Sequence, residues 1–389
     1  MGRGHPLKYS FAANHLAIMP PVVEYDPTGI EFYTIPSFQF SSGTTLHDLR
    51  VAYRSFNPQS TSGVVLIPTC FAGLINTTLN FTTPPHDCLS KYHVVVVAML
   101  GNGESSSPSN KAMFPEPGEL RYQDVVQSQY LLLTAHFKVA ELEAVIGFSM
   151  GGQQAYHWGV MYPSFVKRLV PICSSARTSP HNYAFLEGPI AALSNSIDYI
   201  AWKMMKQKAA TGEDVGANLK EVKPKKGLKA FGRAYSAWLT SHTWFRKKLW
   251  AQPGPNGVGY KTVEEWIRAR EDGYLSQDAD DLLALARMWQ MGDVGTVIPG
   301  ETELSQLGGG TGDDEQYKKA LASIKAKVLL MPGRTDQYFP PDDSEIEVKY
   351  LHHSTLTPIE SIWGHVAGGG LNPEDVKWMN EQIGRFMAE

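Results

Sequence analysis

The first regular pattern along the chain is an alternation of apolar and polar residues from Ile30 to Phe40 and again from Asp48 to Phe56, around a Ser42-Gly43 turn signal. A period of two marks half-buried strands, so the spacing predicts an antiparallel hairpin. The next apolar runs, Gly63 to Pro68 and His93 to Met99, are almost wholly aliphatic, and Leu142 to Ile146 and Arg168 to Cys173 are similar. Strands buried on both faces of a parallel sheet read this way. Tyr122 to Phe137 has the period of an amphipathic helix, as does the stretch after Ile146 that Pro163 closes. After Ala184 the strand-helix alternation stops. Helical periodicity then appears around Ile197 to Lys208, Leu228 to Leu239 and Asp278 to Met291, with breaks at Pro253-Gly254-Pro255 and Gly308-Gly309-Gly310. The sheet pattern resumes with a helix from Glu315 to Ile324, strands from Lys327 to Met331 and Leu356 to Ile362, and a closing helix from Pro373 to Met387.

These elements predict an irregular arm over residues 1–29, a mostly parallel α/β core over residues 30–185 and 313–389, and a helical cap inserted over residues 186–312. The insertion falls before the last two strands, which lays the cap over the C-terminal edge of the sheet. Open α/β sheets bind ligands at that edge, and a cap there would wall a pocket and exclude water.

One junction carries candidate chemistry. Leu142 to Ile146 passes through Gly147-Phe148-Ser149-Met150-Gly151 into a helix, the strand-turn-helix form of a nucleophile elbow. A serine that attacks a carbonyl must stand on a strained turn, where side chains in place of Gly147 or Gly151 would collide with the neighbouring strand and helix. At the helix N-terminus the Met150 N–H and the helix dipole would stabilise a developing oxyanion. A second donor is expected from the loop after the early buried strand, Pro68-Thr69-Cys70-Phe71-Ala72-Gly73, with Phe71 supplying the N–H.

A serine needs a base, and the base an orienting carboxylate. Asp336 follows the Lys327 to Met331 strand, and His365 follows the Leu356 to Ile362 strand, both after the serine in the order of the α/β-hydrolase fold. Ser149, Asp336 and His365 are therefore the expected triad. His157 lies eight residues along the elbow helix, about 12 Å at ~1.5 Å per residue, beyond reach of Ser149. His352-His353 follows no evident buried strand, and Asp342 and Asp343 look like helix caps after Pro340-Pro341. Cys70 has nothing nearby to lower its pKa and is expected to pack. Gly101-Asn102-Gly103-Glu104-Ser105-Ser106 departs from a dinucleotide fingerprint at Ser106 and reads as a loop near the pocket rim.

Composition adds exclusions. The 389 residues are 43% hydrophobic and 19% charged, with a net charge of −4 and a pI near 6.3, an ordinary globular chain with no field to attract nucleic acid or an anionic membrane. Cys70, Cys88 and Cys173 lie far apart without metal-ligand spacing, so neither a disulfide framework nor a metal is expected. The N-terminus lacks a signal-peptide pattern and no apolar run approaches bilayer length, from which a cytoplasmic location is expected.

Several motifs resemble the homoserine O-acetyltransferase family of α/β-hydrolases: Val145 through Ala155 around the elbow, Val160-Met161-Tyr162-Pro163, Val170-Pro171-Ile172 with Ser174-Ser175-Ala176-Arg177, Asp336 with Phe339-Pro340, and Gly364-His365. The resemblance implies an acyl-serine intermediate on Ser149, discharged to an alcohol or thiol acceptor, or to water in the esterase branch. The transacetylases usually read Gly-Gly-Ser at the elbow and Gly-His-Asp at the histidine. Here Phe148 precedes the serine, Val366-Ala367-Gly368-Gly369-Gly370 follows His365, and Thr69 stands where the oxyanion loop usually has a histidine. Val366 cannot pair with the ammonium of homoserine, and Trp363-Gly364-His365 and the Trp-rich segment from Ala234 to Trp250 look more like the esterase-type relatives.

The leading expectation is thus a serine esterase acting on a small acyl ester, with no cofactor. The alternative is an O-acetyltransferase with acetyl-CoA as co-substrate, to which the basic run Lys220, Lys223, Lys225, Lys226 and Lys229 would offer phosphate contacts. A non-catalytic small-molecule receptor on the same fold is the third. Partners are a small ester, or an acyl donor and acceptor, without nucleic acid or membrane. Trp202, Trp238, Trp244, Trp250, Trp266 and Trp289 would line a pocket, join cap helices to one another, or form a homodimer through the cap.

Overall fold

The computed structural model describes residues 25–216, 222–253, 259–297 and 313–389. Most of the expected N-terminal arm, Lys220, Gly254-Pro255 and the triple glycine at 308–310 lie outside these residues.

The hairpin forms as β1 (Glu31–Gln39) and β2 (Thr45–Phe56), in the register that places Phe38 opposite Leu46 and Ile35 opposite Leu49. The chain then enters the parallel part of the sheet through β3 (Val64–Pro68) and β4 (His93–Val97), followed by α1 (Tyr122–Leu131), β5 (Leu142–Phe148), α2 (Met150–Met161) and β6 (Arg168–Ile172). Every residue of β4 is buried, which explains its unbroken aliphatic run. Six helices come next: α3 (Pro180–Ser194), α4 (Ile197–Ala210), α5 (Lys225–Ser236), α6 (His242–Arg246), α7 (Val263–Gly273) and α8 (Ala279–Gln290). The core closes with α9 (Asp314–Ser323), β7 (Lys327–Leu330), α10 (Pro341–Glu347), β8 (Ser354–Leu356) and α11 (Pro373–Phe386). The eight strands lie in the order β1-β2-β4-β3-β5-β6-β7-β8; β1, β2 and β4 pair antiparallel, and from β4 to β8 every pair is parallel. This is an α/β-hydrolase fold, a mostly parallel sheet with an apolar core on each face.

Four elements differ from expectation. The helix begun at Tyr122 widens after Leu131 into a π turn over Leu132–His136 instead of continuing to Phe137. The expected strand over Leu356 to Ile362 is β8, ending at Leu356. Thr357 and Ile359 still donate to the carbonyls of Leu330 and Pro332, but Ser361 turns back to Ile359 and the ladder ends. The fifth helix starts at Lys225, three residues early, because the Asp198 carboxylate of α4 accepts from the Lys226 and Gly227 N–H groups and caps it. Finally, Pro340 rather than either aspartate is the N-cap of α10; Asp342 and Asp343 lie in its first turn, and burial pushes the Asp343 carboxyl up to about 7. The 185/186 division expected between core and cap falls inside α3.

A buried carboxyl joins the helices behind the sheet. Glu347, at the end of α10, receives the Tyr156 hydroxyl at 2.5 Å, the Ala176 N–H at 2.6 Å and the Tyr317 hydroxyl at 3.2 Å. Burial pushes it from its ordinary 4.5 up to about 8, against the pull of those donors. The folded chain therefore keeps a proton that the unfolded chain releases near pH 4.5. Between those values the folded state binds more protons, and stability falls as pH rises, by up to about 1.4 kcal/mol per pH unit for one group. Glu347→Gln keeps the shape and cannot ionise. Its thermal midpoint, followed by circular dichroism from pH 5 to 9, is expected to decline less steeply with pH than that of the parent and to exceed it at pH 9.

Candidate active site

The elbow is built by a sharp reversal between β5 and α2. Ser149 sits at φ 56° and ψ −124°, a left-handed conformation that L-residues rarely adopt. Its N–H donates to the Ile172 carbonyl at 2.9 Å, and its own carbonyl accepts the Ser174 hydroxyl at 2.8 Å. The helix can begin this close to the neighbouring strand only because Gly151 lacks a side chain: a Cβ there would lie 2.8 Å from the Pro68 carbonyl oxygen.

Asp336 reaches the site from the loop after β7, and His365 from a short 3-10 turn, Gly364–Ala367, after β8. His365 Nε2 is 2.9 Å from Ser149 Oγ, and its Nδ1 is 2.7 Å from Asp336 Oδ2. The other carboxylate oxygen accepts the N–H groups of Tyr338 at 2.8 Å and Phe339 at 3.1 Å. With Nδ1–H donating to the carboxylate, Nε2 is left as acceptor for the serine hydroxyl. All three side chains are buried. The structure thus brings the three expected residues together in hydrogen-bonding order.

Phe71 and Met150 lie on the two expected loops. No acceptor among the described residues takes either N–H, and the turn around Phe71 is fixed by the Thr69 and Gly73 N–H groups, which donate to the carbonyls of Val97 and Cys70. The competing groups are elsewhere. His157 is buried against the Tyr122 ring, its Nδ1 at 2.7 Å from the Gln153 carbonyl oxygen, and burial pushes it down to about 4. His352 and His353 are exposed. Burial pushes the Cys70 thiol up to about 12, as suits a packing residue. The Gly101 to Ser106 loop is largely buried and stitches β2 to the end of β4 through Ser105, whose hydroxyl donates to the Ala98 carbonyl and accepts the Ala52 N–H.

Two features escaped the pattern of the sequence. Aromatic side chains crowd the triad: Tyr338 meets His365 edge-on at 4.7 Å, Phe148 tilts over it at 4.7 Å, and Phe71 stacks on Tyr235 of α5 at 5.4 Å. Trp289 stacks on Phe339 at 5.5 Å, beside the His365 loop, while Trp244 of α6 and Trp266 of α7 pack on each other. The segment between α5 and α6 also grips both catalytic loops. The Leu239 carbonyl accepts from the Val366 N–H, the Thr240 carbonyl accepts from the Gln337 amide, and the Ser241 hydroxyl donates to the Ile362 carbonyl. Its one local signal was Ser241 placed as the N-cap of α6.

Fold and site together define a serine-nucleophile α/β enzyme, and comparison with known proteins agrees. A family model described as the alpha/beta hydrolase fold matches residues 63–194. The chain is 31% identical over 348 residues to an ethyl acetate hydrolase of Pseudomonas veronii, covering 84% of this chain and 85% of that protein. It is 25% identical to a homoserine O-acetyltransferase of Pasteurella multocida, over 87% of this chain and 93% of that one. The structure of an acetylester hydrolase from Corynebacterium glutamicum superposes with a TM-score of 0.74 at 26% identity, over 92% of this chain and 96% of the other. The chain belongs to the α/β-hydrolase family, among esterases and, at lower identity, O-acetyltransferases. Among the described residues no helix is long and apolar enough to cross a membrane.

The glycines after the histidine belong to this packing. A Cβ on Gly368 would lie 2.7 Å from Cys173 Sγ, 2.8 Å from Ile172 Cγ2 and 3.0 Å from Phe148 Cδ2. Gly368→Ala is expected to cost about 1–3 kcal/mol by overpacking. It should also lower kcat more than KM by displacing His365, as read from urea unfolding and steady-state kinetics on one preparation.

Proposed function

We propose that this enzyme hydrolyses esters of small acyl groups through an acyl-serine on Ser149. The observation that carries the proposal is the chain of two hydrogen bonds, 2.9 and 2.7 Å, from the serine hydroxyl through His365 to a carboxylate whose other oxygen is held by two backbone N–H groups. In this mechanism His365 takes the proton as Ser149 attacks the ester carbonyl, and returns it to the leaving alcohol. Asp336 holds the imidazole and stabilises its charged form. The Phe71 and Met150 N–H groups receive the oxyanion. Water, deprotonated by His365, then releases the acid. Helices α3–α8 serve as the cap, and the ring cluster of Phe71, Phe185, Tyr235, Trp289 and Tyr338 beneath it favours a short acyl chain.

The esterase identity of the Pseudomonas and Corynebacterium relatives supports hydrolysis over transfer. Two of the lysines that would meet CoA phosphates have other tasks. Lys223 donates to the carbonyls of Leu275, Ser276 and Gln277 at 3.1–3.2 Å, and Lys229 pairs with Asp272 at 2.6 Å. Beside His365, Val366 is fully buried and offers no partner for a substrate ammonium.

Ser149→Ala is expected to lower kcat on p-nitrophenyl acetate by at least about a thousandfold with the fold intact. The parent should prefer acetate to octanoate esters by at least about tenfold in kcat/KM. Acetyl-CoA with an alcohol acceptor should release no acceptor-dependent thiol; such release would move the assignment to the transferases, and ester turnover surviving in Ser149→Ala would overturn it.

A further inference from the structure

The two N–H groups of an oxyanion hole must stay fixed relative to each other to about half an ångström, yet here they come from different parts of the chain. Phe71 lies on the loop after β3, and Met150 opens α2. One side chain touches both segments. Gln154, one helical turn past Met150, donates from Nε2 to the Thr69 carbonyl at 2.9 Å and to the Met150 carbonyl at 3.0 Å, using both of its amide hydrogens. Its Oε1 accepts from Gln129 Nε2 of α1 at 2.7 Å, and Gln129 Oε1 accepts from Trp158 Nε1 at 2.8 Å. All four residues, Thr69, Gln129, Gln154 and Trp158, are wholly buried.

The relay has a direction. An indole N–H can only donate, so Trp158 compels the Gln129 amide to present its oxygen there and its nitrogen to Gln154. That in turn compels Gln154 to present oxygen to Gln129 and nitrogen to the two carbonyls. No amide in the series can flip without setting like dipoles against each other in a buried site. Thr69 has little freedom left, because its N–H donates to the Val97 carbonyl at 2.9 Å and its hydroxyl accepts the Met99 N–H at 3.0 Å.

We propose that Gln154 is a positioning residue for the oxyanion hole: its amide, oriented from Trp158 through Gln129, locks the loop bearing the Phe71 N–H to the turn bearing the Met150 N–H. It rests on the esterase assignment above. Gln154 has no hydrogen bond to any residue of the triad, so its loss acts on the charged tetrahedral state and leaves ground-state binding and the hydrogen bonds of His365 alone.

Gln154→Met removes the donor at similar length, and Gln129→Met removes only the group that orients it. Both are compared with the parent on p-nitrophenyl acetate, in inhibition by phenylboronic acid, which forms a charged tetrahedral adduct on serine, and in labelling by a fluorophosphonate. Gln154→Met should lower kcat by about 10- to 100-fold and weaken the boronate comparably, with KM within about twofold, since a donor held out of place forfeits part of the 10²–10³ that a deleted one costs. The alkaline and acid limbs of the kcat/KM profile should keep their midpoints. Gln129→Met should show the same signature at smaller size, and the double variant less than the product of the two losses. Folded Gln154→Met enzyme with the parent's kcat and boronate affinity would overturn the proposal, as would loss expressed in KM or in a shifted pH profile. If Gln154→Met does not fold, Gln129→Met decides by the same criteria. Failure of the parent itself to label and to turn over ester would overturn the esterase assignment and this role with it, a result distinct from a parent that labels alongside an unaffected variant.

Discussion

Everything near the site depends on one local conformation, the left-handed backbone of Ser149 at φ 56°. A non-glycine residue held there costs on the order of 1–3 kcal/mol, so the surroundings must over-determine it. They do so from both sides of the turn. The Ser149 N–H is held by the β6 carbonyl of Ile172, and its carbonyl by the Ser174 hydroxyl together with the N–H groups of Gly152 and Gln153. Gly151 lets α2 start against the carbonyl of Pro68, which brings β3, β5 and β6 to bear on one residue. The strain has a use. It lifts the hydroxyl off the sheet toward His365 while keeping the Met150 N–H at the open end of a helix dipole.

The remaining groups of the triad arrive on loops, and loops need anchoring to hold a proton-transfer distance. Thr335 supplies one anchor: its hydroxyl donates to the Ser361 carbonyl and accepts the Gly364 N–H, so the segments bearing Asp336 and His365 are bound to each other before either meets Ser149. The stretch from Leu239 to Ser241 supplies the other from the helical insertion. A displacement of those helices is therefore felt at His365 and Gln337.

Sequence periodicity was sufficient for the sheet because buried parallel strands advertise themselves as aliphatic runs, and β3 through β7 fell where those runs are. That Ser149, His365 and Asp336 would meet was legible for a different reason: the elbow is contiguous, and the two later residues follow strands in chain order. What stayed hidden depends on tertiary partners. Glu347 meets Tyr156 across 191 positions of the chain, and nothing around Glu347 in sequence marks it as buried. Likewise Gln129, Gln154 and Trp158 read as ordinary residues of helical period until their side chains meet. Strand β8 was placed too late: it runs Ser354–Leu356, and Pro358 and the turn at Ser361 end the ladder where the apolar residues continue. The boundaries of α5 moved because its cap, Asp198, lies on another helix.

Two departures from the transacetylase pattern, read separately in the sequence, become one change in three dimensions. A phenylalanine before the serine puts a ring against the His365 imidazole, and that ring needs room. The room comes from the chain just beyond the histidine, where a Cβ at Gly368 would come 3.0 Å from Phe148 Cδ2 and one at Gly369 would come 3.3 Å from its Cζ. An acidic residue in place of the buried Val366 would have to lose its hydration in this packing, at a cost of several kcal/mol unless a cation answered it. Phe148, Val366 and the glycines thus form a single apolar solution to holding His365. No member of that group carries a charge to answer a charged amino-acid acceptor, in keeping with the neutral esters proposed as substrates.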